Sequence, residues 1–364
     1  MELNILPQPW AVSENEGDLV FQAEAARSFS WNMPKMYGGP IGRRDAELGI
    51  LHSAPSLKLK RFRNALVLPR SIVIDPIESK VLVGSYFRNN MYNFHGGVHR
   101  LPKAMLKTKI PFNGDYETTN KPVYSLDTDW PHGFGHLLLD GLPRLWALRY
   151  APYDALLVNS YAHQEILKFF MIALEIDINR LKYLNKPLFT HDFYSADASI
   201  DRKESVHPEF WELISKIKKF ALKFSSLKSR EFPKKIYISR KNFNTHTLLN
   251  EDVVEDYFIR LGFVSIAPEK LDIWDQIALY SQVEQMVGPG GTGMHMALFA
   301  PDDTKVLILS PPNWFFNADT ILAQGFKDRL CHVVGYQDGF NFRNEKPWTI
   351  KLEDVEKAVS QHFI

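Results

Sequence analysis

The sequence is poor in cysteine and has no long apolar run. Its 364 residues include one cysteine, Cys331, so no intrachain disulfide is possible, which fits a reducing compartment. No uninterrupted apolar segment is long enough to span a bilayer. Residues 1–7 lack the basic and long apolar regions of a signal peptide. We therefore expect a cytoplasmic chain, and any contact with a membrane would be peripheral, at its inner face.

The chain also lacks a charge of one dominant sign, internal repeats and low-complexity tracts. It has 43 basic and 42 acidic residues, a net charge of +1, which argues against nucleic acid as a partner. A hydrophobic content of 45% is enough for a sizeable core and suggests two domains at this length. Aromatic residues make up 13% of the chain, and such a surplus can line a sugar-binding cleft or fill a core.

Strand-like and helix-like segments alternate along most of the chain. After an irregular, proline-rich beginning, the pattern predicts helices over 163–174, 209–224, 272–281 and 352–363 and strands over 155–158, 235–240, 263–266 and 285–287. This alternation indicates an α/β fold with a parallel sheet. The pattern breaks at 225–230, so we place domains at 1–225 and 226–345, followed by a C-terminal helix at 346–364.

A glycine-rich turn at 288–293 is the most informative segment. A strand-like run leads into Gly288-Pro289-Gly290-Gly291-Thr292-Gly293, and a short apolar helix leaves it. Such a turn directs backbone N–H groups and the positive end of a helix dipole at an anion, so a phosphate or diphosphate would fit. The alternative is a tight strand-to-helix connection that needs several residues with positive φ.

The same glycines satisfy the G-x-G-x-x-G pattern of dinucleotide-binding domains. That pattern needs an acidic residue at the tip of the next strand to hold the ribose. Here the next strand, 305–309, ends in Ser310-Pro311-Pro312 and carries no carboxylate at its tip. The sequence therefore argues against a nicotinamide or flavin cofactor.

A second segment, 130–146, combines three ionisable residues with leucines. If it is helical from Gly135, then His136, Asp140 and Arg144 lie four residues apart on one face. Such groups are costly to bury unpaired on an otherwise apolar helix. They form either an internal ladder of salt bridges or a cleft wall that carries a general base.

Charged residues also follow two other strand-like runs. Arg240, after the strand that ends in Ser239, suits bidentate contact with a phosphate, although a solvated surface charge is the alternative. Asn250 is a good N-cap for a helix whose first turn contains Glu251. Asp127 and Asp129 form an Asp-x-Asp tip that could hold a metal, but turns use aspartate routinely, and we expect no metal there.

The order of these motifs resembles glycosyltransferase family 61. The motifs are Gly135-His136 with Asp140 and Pro143-Arg144, then Ile236 to Arg240, Leu249-Asn250-Glu251, Gly262-Phe263, Gln276, and Val287 to His295. The resemblance covers roughly residues 123–150 and 234–312. Bacterial members, which make capsule or lipopolysaccharide, are the most similar, because they also carry Gly-His before the aspartate and a histidine after the turn.

The resemblance implies a GT-B-like fold, two Rossmann-like domains with a cleft between them. Residues 1–225 would be the acceptor side, and 226–345 would bind the nucleotide sugar. Catalysis would fall to Asp140 and His136, without deciding which is the base. Donor binding would fall to Ser239, Arg240, Gly290, Gly291, Thr292, Gly293 and His295, with Arg144, Asn250 and Glu251 in supporting roles. The family usually inverts the anomeric carbon without a metal.

The chain departs from the family pattern at three places. His246 stands where a second arginine is often found, Thr292 where the turn often has alanine, and the strand 305–309 lacks a frequent glutamate. The first and third departures leave the identity of the donor open.

The function we expect is therefore an inverting glycosyltransferase that moves a sugar from a nucleotide sugar, of the UDP type, to a hydroxyl of a glycan or glycolipid in cell-surface polysaccharide synthesis. No cofactor beyond that co-substrate is expected. The alternative is a non-catalytic protein that binds nucleotides or carbohydrates on the same fold.

Overall fold

The computed structural model describes residues 15–25, 28–30, 34–39, 51–68, 72–77, 80–82, 116–126, 133–159, 163–201, 205–227, 232–245, 247–312, 330–337 and 347–363. The chain divides into two compact units. Unit 1 comprises Met1–Arg27, Ala54–Asp201 and His207–Leu213, and unit 2 comprises Ser28–Ser53, Arg202–Val206 and Ile214–Ile364. The division near residue 213 falls inside the helix that precedes the predicted boundary at 225.

The two longest of the described strands, of 12 and 9 residues, lie in unit 1, and the others have six residues or fewer. In chain order the strands are β1 (Asp18–Ala23), β2 (Ser28–Ser30), β3 (Lys35–Gly38), β4 (Leu51–Ser53), β5 (Leu57–Leu68), β6 (Ile72–Asp75), β7 (Lys80–Val81), β8 (Glu117–Thr119), β9 (Val123–Ser125), β10 (Ala155–Asn159), β11 (Leu181–Leu184), β12 (Leu188–Ala196), β13 (Ile200–Asp201), β14 (Ser205–Val206), β15 (Lys235–Ile238), β16 (Val264–Ile266), β17 (Gln285–Pro289), β18 (Lys305–Ser310) and β19 (Leu330–Val334).

The helices include the four predicted segments 163–174, 209–224, 272–281 and 352–363, the last of which ends in a π-helix. They are α1 (Phe134–His136), α2 (Gln164–Ala173), α3 (Pro208–Phe224), α4 (Glu251–Arg260), α5 (Ile273–Tyr280), α6 (Thr292–His295) and α7 (Leu352–Ala358). Short 3₁₀ helices cover Ile178–Arg180, Pro268–Lys270 and Met296–Phe299, and a π-helix, Val359–Phe363, extends α7. None of the helices in the described ranges is long and apolar enough to cross a membrane.

Unit 1 contains a mixed sheet rather than the parallel sheet of a Rossmann-like domain. Its strand order is β11-β10-β9-β12-β5-β6-β7, with β1 also on β5 and β8 also on β12. Strands β8 to β12 pair in parallel, whereas β1, β5, β6 and β7 pair antiparallel. Strand β5 joins the two parts by pairing antiparallel with β12. Phe62, Val123, Leu157 and Phe193 lie in the core beside this sheet.

Unit 2 contains the parallel sheet that the alternating pattern predicts. Its six strands lie in the order β16-β15-β17-β18-β19-β3, and every pair is parallel. The central strands are almost wholly buried, which explains why they read as continuous apolar runs. After β15 the chain forms β16 on one side of β15, and it then crosses to form β17 on the other side of β15. The loops after β15 and β17 therefore diverge at the point where α/β sheets bind ligands.

Asn250 is the N-cap residue of α4, as predicted, but its side chain forms no capping hydrogen bond. Its Nδ2 donates to the Ile350 carbonyl at 2.8 Å, and its Oδ1 accepts from the Ile350 N–H at 3.1 Å. Asn250 prefers this pair of backbone groups because together they satisfy both ends of its amide, whereas a cap would satisfy only the oxygen. Asn250 thus joins the start of α4 to the segment that precedes α7.

Candidate functional site

In unit 2, two motifs that the sequence predicts lie at the strand-order switch, the point between β15 and β17 where successive connections leave toward opposite sides of the sheet. Ser239 and Arg240 follow β15, and the glycine turn follows β17. The two strands are hydrogen-bonded neighbours, with Tyr237 paired to Val287. Because both strands run parallel, their carboxyl ends meet at one edge of the sheet, and the two loops lie side by side.

The closest approach joins Arg240 to Gly291. A Cβ atom built on Gly291 would lie 2.2 Å from Arg240 Nη1 and 3.0 Å from Arg240 Cζ. Gly291 has φ of 155° and ψ of −175°, a region that only glycine adopts readily. The missing side chain therefore does two things: it permits this backbone conformation, and it leaves room for the guanidinium against the turn.

The other glycines of the turn differ in what they permit. A Cβ on Gly288 would lie 2.7 Å from the Ile238 carbonyl oxygen, and one on Gly293 would lie 2.9 Å from Ile238 Cγ2. These two glycines let the turn pack on the end of β15. Gly290 has open space, with its nearest neighbours at 3.5 Å, and its N–H donates to the Leu309 carbonyl at 2.7 Å. Gly290 is thus engaged in the sheet.

The turn nevertheless offers donors for an anion. Among the hydrogen bonds of the described chain, none comes from the backbone N–H of Gly291, Thr292 or Gly293, whereas Met294 N donates to Gly291 O at 2.8 Å. These N–H groups lie at the start of α6, where a helix leaves donors without intrahelical acceptors. His295, at the end of α6, is buried at 4% exposure.

Arg240 is a half-buried cation without a carboxylate partner in the described part of the chain. Its Nη2 donates to the Thr245 carbonyl at 3.3 Å, and its buried Nε has no hydrogen-bond partner there. Burial lowers the pKa of the guanidinium from its usual value, against the effect of Glu251 and Glu269. An arginine stays charged under any physiological condition. A charge held in this way is suited to an anionic ligand.

The neighbouring cation, Lys241, is satisfied within the protein. Its ammonium forms ion pairs with Asp252 and Glu255 on α4. Hydrogen bonds to these two carboxylates raise the pKa of Lys241. The two basic residues are adjacent in the sequence but differ in the structure. Lys241 is paired with carboxylates of α4, whereas the Arg240 guanidinium lies against the glycine turn.

Glu251 fixes the backbone that carries Arg240. Its Oε1 accepts from the Arg240 N–H at 2.7 Å and from the Ser239 hydroxyl at 3.2 Å. Burial raises the pKa of Glu251, and these two hydrogen bonds oppose that rise. The contacts place Ser239 and Glu251 beneath the loop, where they orient Arg240.

Unit 1 carries the second motif on a distorted helix. The α-helix α1 passes into a π-helix, Leu137–Gly141, and then into a 3₁₀ helix, Leu142–Tyr150. The predicted contact between His136 and Asp140 is present, with Nδ1 and Oδ2 2.7 Å apart. The Asp140 side chain is 4% exposed and that of His136 is 28% exposed. The two form a dyad in which the carboxylate is buried and the imidazole reaches solvent.

Arg144 lies on the same segment but has other contacts. Its Nη1 donates to the Ala196 carbonyl, at the end of β12, and its own carbonyl accepts from the Tyr124 hydroxyl at 2.5 Å. Ser199 Oγ also donates to the Pro143 carbonyl at 2.7 Å. These bonds attach the 3₁₀ helix to the sheet, so the structure brings together His136 and Asp140 and places the Arg144 guanidinium on the backbone of β12.

Two residues near Arg240 and the glycine turn were not predicted from the sequence. The Phe243 ring lies 5.2 Å from Arg240 Cζ and is 42% exposed, and the Phe243 N–H donates to the Arg240 carbonyl at 2.9 Å. The buried Tyr280 hydroxyl, without a hydrogen-bond partner in the described chain, lies 3.9 Å from the Cβ position of Gly293. Neither residue belongs to a motif; Phe243 follows Arg240 by three residues in a local turn, and the fold brings Tyr280 to the glycine turn.

Some residues named in the sequence analysis lie outside the described ranges. Asp127, Asp129 and His246 are not among the described residues. Within the described ranges, no group of three or more histidine, cysteine, aspartate or glutamate side chains could hold a metal ion.

A comparison with protein families gives a match that includes both the His136–Asp140 dyad and the glycine turn. The family model described as Glycosyltransferase 61 matches residues 134–307. This match supports the glycosyltransferase 61 family. The matched range contains the dyad, Arg240, Glu251 and the whole glycine turn, so every predicted site residue lies within it. A glycosyltransferase is the activity that this family suggests. No curated protein matches the chain.

Proposed function

We propose that the protein is an inverting glycosyltransferase that uses a nucleotide diphosphate sugar as donor. One observation carries the proposal: the Arg240 guanidinium, without a carboxylate partner in the described chain, lies against Gly291 at the strand-order switch of a parallel sheet. Arginine binds phosphate oxygens in a bidentate manner, and glycine turns at this position admit a diphosphate closely. The match to glycosyltransferase family 61 supports the same assignment.

The donor diphosphate would accept hydrogen bonds from Arg240 and from the N–H groups of Gly291 to Gly293. When the bond between the anomeric carbon and the diphosphate breaks, the leaving group gains negative charge. Hydrogen-bond donors that are already fixed around the diphosphate interact more strongly with this developing charge. They therefore stabilise the transition state more than the ground state. Arg240 would neutralise the leaving group in the role that a metal ion has in other transferases, so we propose catalysis without a metal.

The His136–Asp140 dyad would activate the acceptor. The acceptor hydroxyl oxygen attacks the anomeric carbon from the face opposite the leaving group, and the configuration inverts. The hydroxyl proton must go to a base within hydrogen-bond reach. Because His136 is the more exposed member of the dyad, we propose that its imidazole takes the proton and that Asp140 holds the ring and stabilises the imidazolium.

The finer parts of the proposal follow from the resemblance. They are a GT-B-like arrangement, a UDP-type donor, a glycan or glycolipid acceptor, cell-surface polysaccharide synthesis and a cytoplasmic location. Ser239 and Glu251 support Arg240 in this proposal, and Asn250, His295 and Arg144 keep the supporting or donor-side roles that the resemblance implies.

A donor screen tests the function. The protein would be heated with UDP, GDP, CMP and their sugars, and a ligand at about 100 times its Kd should stabilise it by about 2.7 kcal/mol. Any donor that binds would then be incubated with the protein alone, and the free sugar measured. A transferase releases some sugar to water, so binding with slow hydrolysis supports the proposal. Binding without any hydrolysis would identify a non-catalytic binding protein, and no binding would reject the donor site.

A further inference from the structure

The loop after β15 carries one apolar side chain among polar ones. All five residues from Lys241 to Thr245 are exposed, and Phe243 is the apolar one of the five. Phe243 is 42% exposed, although burial of a phenylalanine ring is favourable. Its ring centre lies 5.2 Å from Arg240 Cζ. Part of the ring therefore contacts the guanidinium, and the rest of it faces solvent.

Hydrogen bonds hold this loop in place. The Phe243 N–H donates to the Arg240 carbonyl at 2.9 Å, which closes a tight turn. The Arg240 N–H donates to Glu251 Oε1 at 2.7 Å. Asn242 Nδ2 donates at 2.5 Å to Glu269 Oε1, in the 3₁₀ helix that follows β16. The loop is thus tied to α4 and to the segment after β16, so the ring is held beside the carboxyl ends of two neighbouring strands.

A nucleotide held by Arg240 would bring its base close to this ring. In parallel α/β sheets a nucleotide lies across the carboxyl ends of neighbouring strands. One ribose separates the base from the diphosphate, so a ring in contact with the guanidinium that binds the phosphates lies within reach of the base. Aromatic side chains stack on bases through their flat faces, and every base offers such a face.

We propose that Phe243 stacks on the nucleobase of the donor, an inference that rests on the nucleotide sugar proposed above. Arg240 holds the diphosphate, and Phe243 adds a contact that a phosphate without a base cannot use. A phenyl ring has no hydrogen-bonding group for the edge of a base. Phe243 therefore raises the affinity for nucleoside diphosphates in general and leaves the choice among bases to other groups.

Calorimetric titration with a nucleoside diphosphate and with inorganic pyrophosphate tests the proposal. Both carry two linked phosphates, but only the first carries a base; the tighter of UDP and GDP would be used. Phe243→Ala should weaken nucleoside diphosphate binding by about fivefold or more, the effect of losing one stacked ring, and leave pyrophosphate affinity nearly unchanged. Phe243→Trp should keep the wild-type affinities because indole also stacks, whereas Phe243→Leu should behave like the alanine variant.

Phe224→Ala is the matched control, because it removes another exposed ring of unit 2, 53% exposed, from helix α3. It should bind both ligands as the wild type does. An equal loss of both affinities in Phe243→Ala would show that the ring only positions Arg240, and that result would overturn the proposal. Unchanged affinity for the nucleoside diphosphate would also overturn it, even if binding of the nucleotide sugar weakens, because the ring would then contact the transferred sugar.

The wild type separates this proposal from the proposed function. If it binds neither pyrophosphate nor any nucleoside diphosphate, the donor site itself is rejected, and the contact with the base falls with it. If it binds both but Phe243→Ala does not discriminate between them, the donor site stands and only the role of Phe243 is rejected. Circular dichroism confirms that each variant is folded.

Discussion

The donor loops of unit 2 and the dyad segment of unit 1 use opposite arrangements of charge. Arg240 is a cation that the described protein leaves without a carboxylate, held against the backbone of Gly291. Asp140 is a carboxylate that the protein buries beside a histidine. The first arrangement is suited to bind an anion from outside, and the second to receive a proton. The difference separates binding from chemistry, so Asp140→Asn should lower turnover and spare donor affinity, whereas Gly291→Ala should lower nucleotide affinity.

The largest effect is expected for the dyad. Asp140→Asn keeps the shape of the side chain and removes the charge that would hold the His136 imidazolium. We expect turnover to fall about 100-fold or more, the range for loss of a general base, with donor affinity nearly unchanged. His136→Ala should lose a similar factor. Steady-state kinetics and calorimetry with the donor measure the two quantities separately.

Asp192→Asn is the control for this prediction. It removes a carboxylate of unit 1 that pairs with Arg61 and belongs to neither arrangement. Its turnover should stay close to that of the wild type. If Asp140→Asn folds and turns over equally well, Asp140 is structural, and the assignment of chemistry to this region is wrong.

The glycine turn gives the next largest effect. In Gly291→Ala the new methyl group would lie 2.2 Å from Arg240 Nη1, and alanine would be strained at φ of 155°. We expect displacement of the guanidinium, a loss of nucleotide affinity of about tenfold or more, and a stability loss of about 1–3 kcal/mol.

Gly290→Ala is a matched substitution one residue away. Its nearest contacts would be at 3.5 Å, so stability should change by no more than about 0.5 kcal/mol. Calorimetric titration with UDP and denaturant unfolding measure both variants. Equal behaviour of the two alanine variants would contradict the close contact between Arg240 and the turn.

A smaller effect concerns pH. Burial raises the folded-state pKa of Glu251 above its ordinary value of 4.5. At pH values between the ordinary pKa and the raised folded-state pKa, the folded state binds the proton more tightly than the unfolded state. The contribution of Glu251 to stability is therefore greatest at low pH, and it falls as the pH rises from the ordinary pKa to the folded-state pKa. Glu251→Gln should remove that slope. Urea unfolding of both proteins from pH 4 to pH 8 measures it, and a difference independent of pH would refute this account.

No effect is expected from metal removal. Because Arg240 would balance the charge of the leaving group, turnover in EDTA should equal turnover without it. Activity that is lost in EDTA and restored by manganese or magnesium would show a metal-dependent reaction and would direct attention to Asp127 and Asp129.

The two regions also differ in how well the sequence predicts them. The parallel sheet of unit 2 follows from its apolar strands, and residues at the carboxyl ends of neighbouring parallel strands meet at one edge, so the pattern alone predicts that Arg240 lies beside the turn. Asn250 occupies the predicted N-cap position, but its side chain forms no capping bond because Ile350, a hundred residues away, offers its backbone to the same amide. Phe243 was missed because a single exposed aromatic residue has no sequence signature.

The dyad segment was expected to place its ionisable residues on one face if it were helical from Gly135, and it is helical but irregular. The His136–Asp140 contact survives because residues four apart still meet across the α-to-π junction. The irregularity beyond it has a signal in the sequence: Pro143 lacks an N–H and cannot continue an α-helix without loss of a hydrogen bond. The bonds from Tyr124 to Arg144 and from Ser199 to Pro143 then fix the 3₁₀ form, and only the tertiary structure supplies them.

The most direct test compares two adjacent cations. UDP would be titrated calorimetrically into the wild type, Arg240→Ala, Arg240→Lys and Lys241→Ala. Loss of the Arg240 guanidinium should weaken binding by about 1.5–3 kcal/mol, and lysine should restore only part of it, because the bidentate fork is absent. Lys241→Ala breaks ion pairs within the protein and should change affinity by less than about threefold. Unchanged affinity in Arg240→Ala, or an equal loss in Lys241→Ala, would contradict the assignment of the donor site to Arg240 and Gly291.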